Sequence, residues 1–143
     1  MNIKDQSGWT FIETLIVLSI ILILTSTVGF MAAGYVDKAR VISAKTQIEN
    51  LSMALDTYFM DTMQFPSNEQ GLDALWTKPI LEPLPDGWDG PYLRKPVAKD
   101  PWGFSYEYQT PGPNGLPYSI LSLGKDGIPG GEGTSSDISS WEN

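Results

Sequence analysis

The chain has 143 residues, with 9 Lys+Arg against 17 Asp+Glu, a net charge of −8, no His and no Cys. The acidic balance argues against a nucleic-acid partner, because no basic stripe is available to neutralise phosphates. The missing residue types exclude disulfides, thiolate metal sites, Cys nucleophiles, Ser-His-Asp arrangements and the usual zinc centres, so any metal would be a hard cation held by oxygens.

A short polar stretch ends at Gly8, and the run from Trp9 to Val36 that follows carries one charge, Glu13. Thr14 to Val36 is 23 residues, about 35 Å of helix at ~1.5 Å per residue, against a hydrocarbon core of ~30 Å. A single membrane-crossing helix is expected. A carboxylate near the start of such a segment costs about 2–3 kcal/mol, so a compensating positive group is expected for Glu13. A secretory signal carries its cleavage site after the apolar core, whereas Gly8 lies before it. Cleavage after Gly8 would keep the hydrophobic helix and free an α-ammonium on Trp9, one helical turn from Glu13. That spacing suits an ion pair between neighbouring subunits. The alternative is a plain anchor in which Glu13 reaches the headgroups.

All 11 Pro lie between Pro66 and Pro129, so the Pro-free stretch from Trp9 to Met63 reads as one continuous helix. Gly29 and Gly34 leave open a break into two helices. In its second half Val41, Ala44, Ile48, Leu51, Leu55 and Tyr58 recur at alternating spacings of three and four, an amphipathic face laid on a globular domain. The turn from Pro66 to Gly71 leaves this helix, and Leu72 to Trp76 forms one further helical turn. Pro79 to Pro91 is loop, with Asp86-Gly87 and Asp89-Gly90 as turn signals.

Phe104 to Gln109 alternates aromatic and polar residues and reads as a strand. Pro111 to Gly115 is a hairpin-type connection to a second strand, Tyr118 to Leu123, paired antiparallel with the first. Gly124 to Asn143 is glycine-rich and too poor in apolar residues for regular structure. The aromatic residues, among them Trp76, Trp88, Trp102, Phe104 and Trp141, are expected in the core rather than on a carbohydrate platform. Asp100, before Pro101, reads as a turn residue, and Glu107 as a solvated strand side chain. Arg94 and Lys95 suit carboxylates on adjacent subunits.

Several blocks in order resemble the prepilin family and, within it, the major pseudopilins of type II secretion. They are WTFIETLIVLSIILIL after Gly8, FPSNEQGLDAL, Lys78-Pro79, GPYL from Gly90 to Leu93, and KDPWGFSYEY from Lys99 to Tyr108. SLGKDG, then GGEG, Asp137-Ile138 and Trp141 complete the series. The likeness runs almost end to end. It implies a leader over 1–8, removed after Gly8 by a prepilin peptidase with methylation of the Trp9 amine. It implies a membrane and assembly helix over 9–36 and a periplasmic domain over 37–143, stored single-pass in the inner membrane of a diderm bacterium. It further implies a homopolymer, the pseudopilus, that contacts minor pseudopilins and the inner-membrane secretion platform and moves folded cargo across the outer membrane. Energy would come from a separate ATPase, since this chain has no phosphate-binding loop. Trp9 stands where the family has Phe, and Asp5 offsets Lys4 in the leader. The positive-inside count, with Lys38, Arg40 and Lys45 after the span, points to the opposite membrane orientation.

In the glycine-rich tail, Asp126 and Asp137 are 11 residues apart with Gly between them. Two such carboxylates could enclose a calcium ion with carbonyl oxygens, yet the spacing is neither an EF-hand nor a calcium-binding repeat. A solvated turn is the plainer reading of the residues alone. The resemblance implies a calcium site here. Asp126 and Asp137 would give side chains, Leu123 and Ile128 carbonyls, and Ser135 or Ser136 a further oxygen, with Glu132 not expected as a direct ligand. Where many pilins close a loop with a disulfide, a metal bound only by the folded loop would stabilise it by mass action.

The expected fold is α+β: a long N-terminal helix, half membrane-spanning and half amphipathic, packed on a small antiparallel β-sheet with a calcium-binding C-terminal loop. The expected function is structural, not enzymatic. A type IV pilin for adhesion or motility, and a monomeric membrane-tethered calcium-dependent binding domain, are the alternatives.

Overall fold

The structure is a computed structural model that describes residues Thr10–Glu142, apart from the side chains of residues 27, 29–31 and 33. One helix, α1, runs Phe11–Thr62 over 52 residues, as the Pro-free stretch predicts. The chain divides into two compact units, residues 1–37 and 38–143, with the boundary inside α1.

In the first unit α1 is apolar on every side, and Ile12, Ile16, Ile20, Ile23 and Leu24 are all exposed. Three of its hydroxyls are satisfied within the helix: Ser19, Thr25 and Ser26 donate to the carbonyls of Leu15, Ile21 and Leu22 at 2.7, 2.7 and 2.8 Å. Such back-bonding removes the cost of carrying a hydroxyl into an apolar medium. Among the described residues no helix is long and apolar enough to cross a membrane.

The second unit is built on the other half of α1. Ala44, Ile48, Leu51, Leu55 and Tyr58 are buried in one core with Leu75, Tyr106, Ile120 and Ile138, and Val41 packs against it. The three-and-four spacing therefore marks the face that folds. Leu72–Leu75 forms the expected turn, as 3-10 helix. Gln70 staples the following loop: its side-chain N–H donates to the carbonyls of Leu81 and Pro83 at 2.7 and 2.8 Å, and its Oε1 accepts from Ser67 N–H at 2.9 Å.

The sheet has three strands, β1 (Glu107–Gln109), β2 (Ser119–Ser122) and β3 (Ile138–Ser139), in that order. β1 and β2 pair antiparallel with Tyr108 opposite Ile120, as expected, but β1 begins at Glu107 rather than at Phe104. β3, antiparallel to β2 with Ile138 opposite Ser122, corrects the expectation of an irregular tail, as does a 3-10 turn at Gly133–Ser135. A two-residue strand needs little apolar content. Ile138 alone enters the core, and Ser140 extends the pairing by exchanging hydrogen bonds with the Ile120 backbone.

The aromatic core is smaller than the composition suggests. Trp88, Trp102, Tyr92, Tyr108 and Tyr118 pack against it, but Phe104 and Trp141 are 40% and 37% exposed and Trp76 is only half-buried. Two of those that pack inward find backbone partners for their polar tips, Trp88 Nε1 on the Ala74 carbonyl at 3.0 Å and Tyr108 Oη on that of Pro66 at 2.9 Å, whereas Trp102 Nε1 is buried without one. Leu55 has no exposed surface, so Leu55→Ala is expected to cost about 2–5 kcal/mol. A fall in the thermal midpoint of roughly 10–20 °C, read by circular dichroism, would register it.

Tyr58 is also fully buried, its ring edge-on to Tyr92 at 5.5 Å, and its hydroxyl has no hydrogen-bond partner. Burial, then the neighbouring Tyr92, pushes its pKa up to about 12; burial likewise raises Tyr106 and Tyr108. A phenol whose folded pKa lies above its unfolded value of ~10 supports the fold fully below that pH. That support is lost as pH rises through the folded value. Denaturant titrations should show stability falling between about pH 10 and 12, less steeply in Tyr58→Phe. At neutral pH that variant should be neutral or slightly stabilising, because an unmet buried polar group is removed.

Candidate functional site

The segment from the end of β2 to the start of β3 folds back on itself at Gly130-Gly131, and both candidate aspartates approach that dipeptide. Asp137 Oδ2 accepts the Gly130 N–H at 2.9 Å, while Asp137 N–H donates to the Gly130 carbonyl at 3.2 Å. On the other side Asp126 Oδ1 accepts the Ile128 N–H at 3.3 Å. Its Oδ2 lies 3.3 Å from where a Cβ on Gly131 would stand. That same Cβ would collide with the Ser135 carbonyl oxygen, and Gly131 has φ +87°, so only glycine fits there. Asp126, Asp137 and the Ser135 carbonyl are thus brought together around one glycine pair.

One oxygen is left over. Asp137 Oδ1 is buried without a hydrogen-bond partner, and an unmet buried carboxylate oxygen is expensive. A hard cation between the two aspartates would satisfy it. Two carboxylates match the charge of a divalent ion, and neutral carbonyls suit calcium, which takes six to eight oxygens. Among the described residues no three His, Cys, Asp or Glu cluster as a metal site, so carbonyls would have to complete the shell.

Of the remaining expected ligands, Leu123 directly follows β2 and Ile128 is exposed. Ser135 and Ser136 turn their carbonyls toward Gly124: a Cβ there would lie 3.1 and 2.7 Å from them. Glu132 is exposed and lends its carbonyl to Ser135 N–H at 3.1 Å. Asp126, Asp137 and the Ser135 carbonyl are oxygens of the kind a hard cation takes.

At the other end of the chain, Gly8 and Trp9 lie outside the described residues. Glu13 sits in the first turn of α1 and is engaged with Thr10. Thr10 N–H donates to Glu13 Oε2 at 3.4 Å, and Glu13 N–H donates to Thr10 Oγ1 at 3.3 Å. This reciprocal pair is a capping box, whose T-x-x-E signature stands in the sequence and reveals it to a reader of caps. Arg94 and Lys95 line an open cleft with Gln47, Asn50 and Leu51 of α1.

Asp100 is a turn residue, as expected, but a buried one. Its Oδ1 accepts the N–H groups of Trp102 and Phe104 at 3.1 and 2.8 Å, and Ser122 Oγ donates to its Oδ2 at 2.6 Å. No spacing in the sequence pairs Asp100 with Ser122, since the contact exists only once β2 is formed.

The family described as "Type II secretion system (T2SS), protein G" matches residues 32–141. The chain is 40% identical over 143 residues to the type II secretion system core protein G of Pseudomonas aeruginosa, covering all of both chains. It is 41% identical over 141 residues to that of Vibrio cholerae, covering 98% of this chain and 94% of the relative. Among solved structures it is similar to the major pseudopilin from the type 2 secretion system of enterohaemorrhagic Escherichia coli. There the TM-score is 0.64 at 37% identity, over 76% of this chain and 92% of that one.

Proposed function

The chain belongs to the type II secretion system protein G family, that of the major pseudopilin, and from that premise we propose that its copies polymerise into a periplasmic pseudopilus that helps move folded cargo across the outer membrane. Its part in protein transport is structural, not enzymatic. The observation that carries the polymer reading is the end-to-end likeness to core protein G, apolar helix included. An α1 segment that is apolar all round needs covering. Lipid covers it before assembly, in a single inner-membrane span over Thr14 to Val36, and the equivalent segments of other copies cover it afterwards. Minor pseudopilins, the inner-membrane platform and the cargo are its further partners.

Residues 1–8 serve as a leader cut after Gly8 by a prepilin peptidase, and the freed amine of Trp9 is methylated and faces Glu13 of a neighbouring copy. Residues 37–143 form the periplasmic domain. In its tail Asp126 and Asp137 hold a calcium ion with the carbonyls of Leu123, Ile128 and Ser135. The ion supplies charge neutralisation and a cross-link between loop arms that no disulfide can make.

Mass spectrometry of the chain purified from its native membrane tests the central claim. The expected result is a polypeptide beginning at Trp9 with one added methyl group. Retention of Met1 would sink both processing and the filament.

A further inference from the structure

The KDPWGF segment at Lys99 to Phe104 buries a carboxylate that no part of the proposed function uses. Asp100 is 4% exposed, and both of its oxygens are engaged by Trp102, Phe104 and Ser122, so it is not available as a ligand. Its importance lies in what Ser122 does next. The single hydroxyl proton of Ser122 goes to Asp100, which leaves its oxygen to accept; it takes the Gly124 N–H at 3.3 Å. Gly124 has φ +65° and lies so close to the Ser135 and Ser136 carbonyls that a Cβ could not be accommodated. A second contact comes from the same segment: the Phe104 ring covers Gly127, where a Cβ would fall 2.5 Å from it. Gly124 and Gly127 flank Asp126 in the chain. The turn at 100–104 therefore reaches the metal loop on both sides of its first carboxylate, through Ser122 at Gly124 and directly at Gly127.

Resting on the calcium reading, we propose that Asp100, acting through Ser122, is a positioning residue for the metal. The relay from the Trp102 and Phe104 N–H groups through Asp100 and Ser122 to Gly124 fixes where the loop leaves β2. That sets the separation between Asp126 on one arm and Ser135–Asp137 on the other. Hydrogen bonds one layer behind metal ligands set affinity, and their loss costs about 10–100-fold.

The test uses the full-length chain in detergent micelles, with calcium titrated against tryptophan fluorescence and thermal midpoints taken in chelator. Ser122→Ala keeps both backbone donors on Asp100. It is expected to raise the half-saturating calcium concentration about 10–100-fold; the midpoint also falls in chelator, because Asp100 Oδ2 is left buried without its donor, and the shift in half-saturation is the readout that a merely structural contact would not move. Asp100→Ala, should Ser122→Ala fail to fold, removes the acceptor that fixes the Ser122 hydroxyl and is expected to shift half-saturation the same way. The double variant is expected to be no weaker than the worse single variant, since both break one relay. An equal fall in midpoint with calcium and with chelator, at unchanged half-saturation, makes the contact merely structural and overturns the proposal. No calcium response in the parent chain overturns the metal site itself, a result distinguishable from the first.

Discussion

Asp137→Ala is expected to abolish calcium-dependent stability of the domain and, with it, secretion. At calcium a hundredfold above its dissociation constant, a site present only in the folded chain adds about 2.7 kcal/mol. For a domain of this size that is roughly 10–20 °C in thermal midpoint. The parent chain should lose that increment in chelator, and Asp137→Ala should lack it under both conditions. The magnitude separates the metal from the bland explanation. Without an ion, the substitution removes one hydrogen bond to Gly130 N–H, worth about 1 kcal/mol, and relieves the unmet Oδ1. The net effect would then be small and indifferent to chelator. Because Asp137 directly precedes β3, a loosened loop also frees a sheet edge, and proteolysis should begin there. Equal proteolysis rates of the parent with calcium and with chelator would refute the site.

Much of this fold is readable because local patterns and tertiary demands agree. The α1 face from Val41 to Tyr58 repeats at helical spacing and is the face that packs; β1 alternates, and a glycine-containing turn joins it to β2. β3 escapes such a reading. Two residues cannot display a period, and what holds them is pairing to Leu121 and Ser122, decided elsewhere in the chain. Phe104 fails for a related reason: its alternation with Tyr106 points it inward, yet its ring is spent on Gly127 of the distant loop. The two aspartates are visible as an acidic pair among glycines. Their convergence on Gly130-Gly131 is not, because it depends on a backbone that only positive-φ glycines permit. Nor does sequence announce Gln70, whose one amide group holds three backbone atoms of two separate turns.

Glu13 presents two roles that a single substitution separates. Within one chain it completes a capping box with Thr10, an exposed arrangement contributing about 0.5–2 kcal/mol to the first turn of a long helix. Between chains it would neutralise the freed amine of Trp9 in an apolar surrounding. Removing one partner of such a buried pair costs about 3–5 kcal/mol, two to four decades in association at ~1.4 kcal/mol each. A cap accepts Glu or Gln alike, so Glu13→Gln spares the helix end and removes only the charge. With Cys pairs placed along Val17 to Val28, oxidation in cells should give a ladder of multimers from the parent and from Thr10→Ala. Glu13→Gln and Glu13→Ala should both give monomer. If Glu13→Gln still forms the ladder, the cap is the whole role of Glu13, and something other than its charge drives assembly.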